Sequence, residues 1–312
     1  MNPLVESEVV GNDGFRLSAI DKPSQQRIHT MNTKVNDLRV FSQYKKQFSD
    51  KFNLKDSDFL IDVRTDWVNF ETEFELDGVK YHPHLCYENK NANTPKIIDI
   101  MLIMNSGYMK DVQYKSAYVE SSKPSEVSIH NVIEMCKNMM YEIKIIEELA
   151  RTWVESPNKK RYDLPYPEED KFWSHECFSG SVGFNGWIGP TSFTERGSKE
   201  AKDLYEESKR LIDLLNTLPN IVSIGRTENV EANSYHLKHL LERMDGFRSD
   251  NRYFSNGSAI ATIPLYLEDK FNSVGGIRNR IVNISSPNCD ILVPKQMYYM
   301  LEAIDTNVTG GR

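Results

Sequence analysis

Two carboxylates and a lysine form the first pattern in this chain that could do chemistry. Asp77 is separated by ten residues from Glu88, and Lys90 follows two positions later. That spacing matches metal-dependent nucleases of the PD-(D/E)xK type, which hold Mg²⁺ between two carboxylates and place a lysine near the attacking water. Asp77 also precedes Gly78 in a turn-forming dipeptide, where aspartate is favoured for backbone reasons. A nuclease site and a plain turn therefore both remain open.

A second pattern has the residue types of a zinc site. His82, His84 and Cys86 alternate along one predicted strand, so their side chains share one face of a sheet. Structural zinc sites usually carry paired short spacings, which are missing here, and a half-exposed strand face explains the same alternation. The sequence therefore predicts no bound metal. A fourth ligand would have to come from a distant group, namely His175, Glu176 or Cys177.

The remaining motifs predict no complete catalytic site. His236 and His239 lie three apart on a predicted helix, a spacing that suits a shared ligand and equally suits two solvent-facing side chains. The stretch around Ser181 departs from a nucleophile elbow, because Ser179 stands where glycine is required. Gly275-Gly276 is not followed by the Lys-Ser/Thr of a phosphate-binding loop. We therefore expect no enzymatic activity and no cofactor.

The elements around these residues begin with a hairpin. After a predicted helix within Thr33–Phe52, alternating apolar residues flank Asp77-Gly78, a dipeptide that tolerates the positive φ angles of a type I′ turn. The pattern predicts a long hairpin, exposed at its tip. Two more strands are predicted over Lys96–Met104 and Gln113–Glu120.

One very long helix follows, over Ser125–Glu155. Its apolar residues fall on one face, and neither glycine nor proline interrupts it before Pro157. At 1.5 Å per residue, roughly 28 helical residues within this range give a length of about 42 Å, which is typical of a scaffold element.

The C-terminal part is predicted to alternate helices and strands. A loop-rich stretch with glycines, prolines and aromatic residues precedes it, over residues 158–193. Helices are expected at Glu200–Leu218 and Tyr235–Met244, and strands are expected at Ile221–Ile224, Ile260–Leu267, Ile281–Ile284 and Ile291–Val293.

Composition narrows the class of protein. The chain has 312 residues and a formal net charge of -7, which argues against a general grip on nucleic acid. No apolar run reaches the ~18 residues that a membrane helix needs, and the N-terminus lacks the pattern of a secretory signal. Its four scattered cysteines suit reduced, buried thiols, so we expect synthesis in the cytoplasm and no membrane partner.

This order of elements resembles the major capsid proteins of tailed bacteriophages, which share the HK97 fold. The resemblance lies in the succession of segments and not in a signature motif, and the long helix is rich in Met and Glu where the family commonly has Ala. It implies an α+β fold of the HK97-like type. The corresponding segments are an N-terminal arm (1–30), a helical segment (31–58), an extended hairpin loop (59–95), a peripheral domain (96–193) containing a spine helix (125–155), and an axial lobe with return strands (194–312).

The same resemblance implies a function. Members of the family assemble into hexamers and pentamers that enclose the genome, aided in some cases by scaffolding, portal or decoration proteins. The chain would then be a shell subunit of a virion, with copies of itself as its main partners and with no specific readout of nucleic acid. The nuclease that uses Asp77, Glu88 and Lys90 is the alternative.

Overall fold

The structure is a computed structural model of the single chain. It describes residues 38–63, 68–87, 97–103, 113–119, 129–166, 168–169, 182–187, 197–220, 229–250, 253–271, 281–285 and 287–309. The helices are α1 (Leu38–Phe52), α2 (Ile129–Glu155), α3 (Lys199–Leu215), α4 (Ser234–Arg248), α5 (Asn256–Phe271) and α6 (Lys295–Thr309). The strands are β1 (Phe59–Val63), β2 (Val68–Thr72), β3 (Phe74–Leu76), β4 (Val79–Tyr87), β5 (Ile97–Ile103), β6 (Gln113–Val119), β7 (Val182–Gly183), β8 (Gly186–Trp187), β9 (Asn229–Asn233), β10 (Ile281–Ser285) and β11 (Asn288–Pro294).

The fold is α+β, and the strand pairs that the structure describes are all antiparallel. The largest sheet has the order β1-β2-β4-β5-β6, and β3 pairs with the first residues of β4. A second sheet has the order β10-β11-β9, and β7 and β8 form a small hairpin. This mixture of helices and antiparallel sheets confirms the α+β prediction.

Among the helices that the structure describes, none is long and apolar enough to cross a bilayer.

The predicted hairpin is present, and its turn has the expected geometry. Asp77 and Gly78 have φ angles of 52° and 79°, the left-handed values that a type I′ turn requires at both central positions. Beyond the turn, side chains alternate between the two faces of the sheet. Phe74 and Tyr81 are buried on the inner face, whereas Glu73 and Glu75 on the outer face are exposed.

The inner face of this hairpin packs against helices of its own chain. The Phe74 ring lies 4.2 Å from the ring of Phe52 and 5.6 Å from the ring of Phe48, both on α1. The Tyr81 hydroxyl donates to the Cys136 carbonyl of α2 at 3.5 Å. The exposed turn agrees with the predicted tip, but these arms belong to the sheet and its core and do not form a free-standing projection.

The long helix is confirmed over the residues that the structure describes. At 27 residues, α2 is about 40 Å long. Its buried residues are spaced alternately by four and three positions, as one helical face requires. They are Val132, Cys136, Met139, Ile143, Ile146, Ala150 and Trp153.

Both halves of the structure attach to α2. Near its middle, Glu142 contacts Tyr114 of β6 and Lys295 of α6. At its C-terminal end, the buried Trp153 indole donates to the Thr217 hydroxyl at 3.0 Å, and its ring lies 6.1 Å from that of Phe247 in α4. The helix therefore links the large sheet to the C-terminal lobe.

The C-terminal lobe corrects one prediction. Ile260–Leu267, expected to form a strand, lies inside α5. Every residue from Asn256 to Leu267 is buried, so this part of the helix has no exposed face and lacks the one-faced period that marks an amphipathic helix. A Cβ on Gly257 would lie 1.9 Å from the Gly183 carbonyl oxygen, so glycine lets β7 cross the start of this helix.

Other boundaries differ less. Helix α4 runs to Arg248 and not to Met244, because Asp245-Gly246 continues the helix and the Ser249 amide donates to the Asp245 carbonyl at 2.8 Å. Helix α3 ends at Leu215, three residues before the predicted end. Helix α6 was not predicted. The predicted strand at Ile221–Ile224 and the arm over residues 1–30 lie outside the described residues.

The Trp153–Thr217 hydrogen bond gives a test of the link between α2 and the lobe. We expect Thr217→Val to lower the free energy of unfolding by about 1–3 kcal/mol, because it leaves the buried indole N–H without its acceptor. Thr217→Ser keeps the hydroxyl and should cost less. In a Trp153→Phe background the Thr217→Val cost should shrink by about 1 kcal/mol, as measured by urea denaturation. Equal costs for Thr217→Val and Thr217→Ser would contradict this role.

Candidate functional site

The predicted nuclease residues are only partly within the described structure. Asp77 occupies the exposed first central position of the type I′ turn, with its φ angle of 52°. Glu88 and Lys90 lie outside the described residues. The turn accounts for aspartate at position 77 without a metal, because aspartate and asparagine adopt left-handed φ more readily than other residues with a Cβ.

Two of the predicted zinc ligands, His82 and His84, lie on the outer face of the large sheet. His82 Nδ1 is 3.6 Å from a carboxylate oxygen of Glu73, and His84 Nε2 is 3.8 Å from one of Glu71. Lys80 also contacts Glu73, at 2.9 Å. His84 therefore faces a carboxylate on β2, and His82 faces one between β2 and β3, an arrangement typical of a half-exposed sheet face.

These contacts do not assemble a metal site. Among the described residues, no group of three or more histidine, cysteine, aspartate or glutamate side chains could hold a metal ion. The Cys86 side chain lies outside the described part, as do the proposed distant ligands. The latter are His175, Glu176 and Cys177.

The two α4 histidines have separate partners. His236 Nε2 lies 2.6 Å from Glu302 Oε1 on α6, whereas His239 Nδ1 lies 2.7 Å from Glu242 Oε2 one turn along its own helix. They do not share a ligand in this arrangement. Burial alone would raise the pKa of Glu302, but hydrogen bonds and charge from His236, together with the Tyr298 hydroxyl, lower it. The pair His236–Glu302 therefore joins α4 to α6.

A polar cluster that sequence reasoning missed lies where the large sheet meets α2 and α6. Lys295, at the start of α6, is only 7% exposed, and its Nζ lies 3.3 Å from Glu142 Oε2. The Tyr114 hydroxyl donates to the same carboxylate oxygen, and Lys295 Nζ lies 4.7 Å from the centre of the Tyr114 ring. The Tyr299 ring packs 4.5 Å from that of Tyr114.

The Glu142 cluster positions elements, and its partly accessible member is the Glu142 carboxylate, at 35% exposure. Tyr114 is fully buried, so its hydroxyl is out of reach of a substrate. The buried Lys295 ammonium is offset by a carboxylate and an aromatic face, as buried charges require. Glu142 and Lys295 are 153 residues apart in the chain, so no local pattern could have brought them together.

A second cluster holds the segment that leads into α5. Glu242 accepts from Lys238 Nζ at 2.9 Å, from His239, and from the Phe254 backbone amide at 3.0 Å. Glu207 of α3 accepts from the next amide, that of Ser255, at 2.8 Å. Two carboxylates from neighbouring helices thus fix the start of the buried helix.

Arg210 completes the same junction. Its guanidinium donates to the Tyr253 carbonyl and lies 4.3 Å from the centre of the Phe254 ring. It also lies 3.6 Å from Asp245, which is almost fully buried. Loss of solvation raises the pKa of Asp245 despite the positive charges of Arg210 and Arg248. The contacts of Arg210 therefore join α3 to α4 and to the segment that leads into α5.

The side-chain amine of Lys270 has a lowered pKa. Burial lowers the pKa of Lys270, in the last turn of α5, to about 8. Its Nζ lies 3.8 Å from the centre of the Tyr162 ring and 3.4 Å from the Tyr266 hydroxyl.

Two cysteines are buried thiols, as predicted. Burial raises the pKa of Cys136 to about 12 and the pKa of Cys289 to about 11, so neither thiol is reactive near neutral pH.

Substitutions at Asp77 separate a turn role from a catalytic role. We expect Asp77→Asn to leave the free energy of unfolding nearly unchanged, because asparagine is favoured in type I′ turns. Asp77→Ala should lower it by about 1 kcal/mol, because alanine is strained at a φ angle of 52°. Urea denaturation measures both. If Asp77→Asn were as destabilising as Asp77→Ala, the carboxylate itself, and not the backbone angle, would be what position 77 needs.

The acidity of Lys270 predicts a pH dependence of stability. Its pKa is lower in the folded chain than in the unfolded chain, so the unfolded chain binds more protons between about pH 8 and pH 10.5 and stability rises across that interval. Relative to Lys270→Met, the wild type should gain about 1 kcal/mol from pH 7 to pH 9, after allowance for partial solvent screening. Lys199→Met, at the exposed start of α3, is the control. Parallel curves for wild type and Lys270→Met would show that the amine is not desolvated.

Comparisons with known proteins leave the family of this chain open. No family model, no curated protein and no solved structure matched the chain.

Proposed function

We propose that this chain is a structural subunit that assembles with copies of itself into a shell, as the major capsid proteins of tailed bacteriophages do. In this proposal the fold is a variant of the HK97 type and the protein is a component of a virion. Hexamers and pentamers of the chain would form the shell, with scaffolding, portal or decoration proteins as further partners.

The observation that carries the proposal is the position of α2. This helix of about 40 Å bears the large sheet near its middle, through Tyr114, and the C-terminal lobe at its end, through Trp153. A long helix that carries different elements at its middle and at its end leaves room for interfaces on several sides of the subunit, as tiling requires. In the proposed arrangement α2 is the spine helix.

The order of elements supports the same arrangement. A helical segment, a hairpin and a pair of strands precede α2, and a lobe of helices around a three-stranded sheet follows it. Residues 1–30 would correspond to the arm, Trp67–Lys90 to the extended loop, and the segment from α3 onward to the axial lobe. The hairpin differs from a loop held only by neighbouring subunits, because Phe74 and Tyr81 are buried by its own chain.

The nuclease alternative is not proposed. The one member of its motif within the described residues, Asp77, has a backbone reason to be aspartate. No observation in favour of hydrolysis comes from the histidines of β4 and α4, or from the clusters around Glu142 and Glu242.

Particle size tests the proposal. We expect the purified full chain to form rings or shells of many copies, seen by negative-stain imaging and by mass photometry over a range of concentrations. A variant that lacks residues 1–30 should assemble less well yet keep the circular dichroism spectrum of the full chain, if the arm binds neighbouring copies. As a control, Lys137→Gln removes an exposed charge on α2 together with its surface ion pair to Glu134.

Two outcomes would count against the proposal. A chain that stays monomeric or dimeric at all concentrations, alone and when expressed with its neighbouring genes, would exclude a shell subunit. Nicking of supercoiled plasmid DNA that requires Mg²⁺ and is lost in Asp77→Asn would instead favour the nuclease.

A further inference from the structure

We draw no further inference here: the strongest candidate, the exposed aromatic patch of Tyr235 and Tyr253 around Lys238 on the side of α4, is an open surface, and nothing in the structure shows what covers it.

Discussion

Burial of one face of α2 is the constraint on which the other packing depends. The buried side chains of α2 recur at alternating intervals of four and three residues. Together they form a continuous apolar stripe from Val132 to Trp153. A helix of this length gains most of its stability from tertiary contacts and not from its intrinsic propensity. Tyr81 of the sheet contacts Cys136 in this stripe, and α6 packs along the helix. At the end of the stripe, Trp153 contacts Thr217, which follows α3, and Phe247 of α4, so α2 contacts both halves of the fold.

Buried polar groups then fix how the elements meet. Glu142 binds both Tyr114 and Lys295, which joins β6 and α6 to the middle of α2. Glu242 and Glu207 hold two consecutive backbone amides before α5. Apolar burial is non-directional, whereas a carboxylate that loses part of its contact with water must find donors within the chain. These clusters therefore determine how the helices and the large sheet meet. The ionisable groups in them hold secondary-structure elements together.

The sequence predicted the elements whose signals are local. The Asp77-Gly78 turn follows from the φ angles that these residues tolerate, and α2 follows from a period that a single buried face imposes. Helix α5 was misassigned as a strand, because a helix buried on all sides has no polar face to reveal its period. Helix α6 could have been found, since Met297, Leu301, Ile304 and Val308 carry helical spacing. The contacts between elements could not have been predicted, because residues such as Glu142 and Lys295 are far apart in the sequence and meet only in the folded chain.

Native-state hydrogen exchange tests most directly whether α2 supports both halves of the fold. The account predicts that amides from Val132 to Trp153 exchange most slowly, and that their opening coincides with loss of protection in β6 and α6, with one shared free energy. It would be contradicted if the α2 amides exchanged first while the sheet and the C-terminal lobe stayed protected.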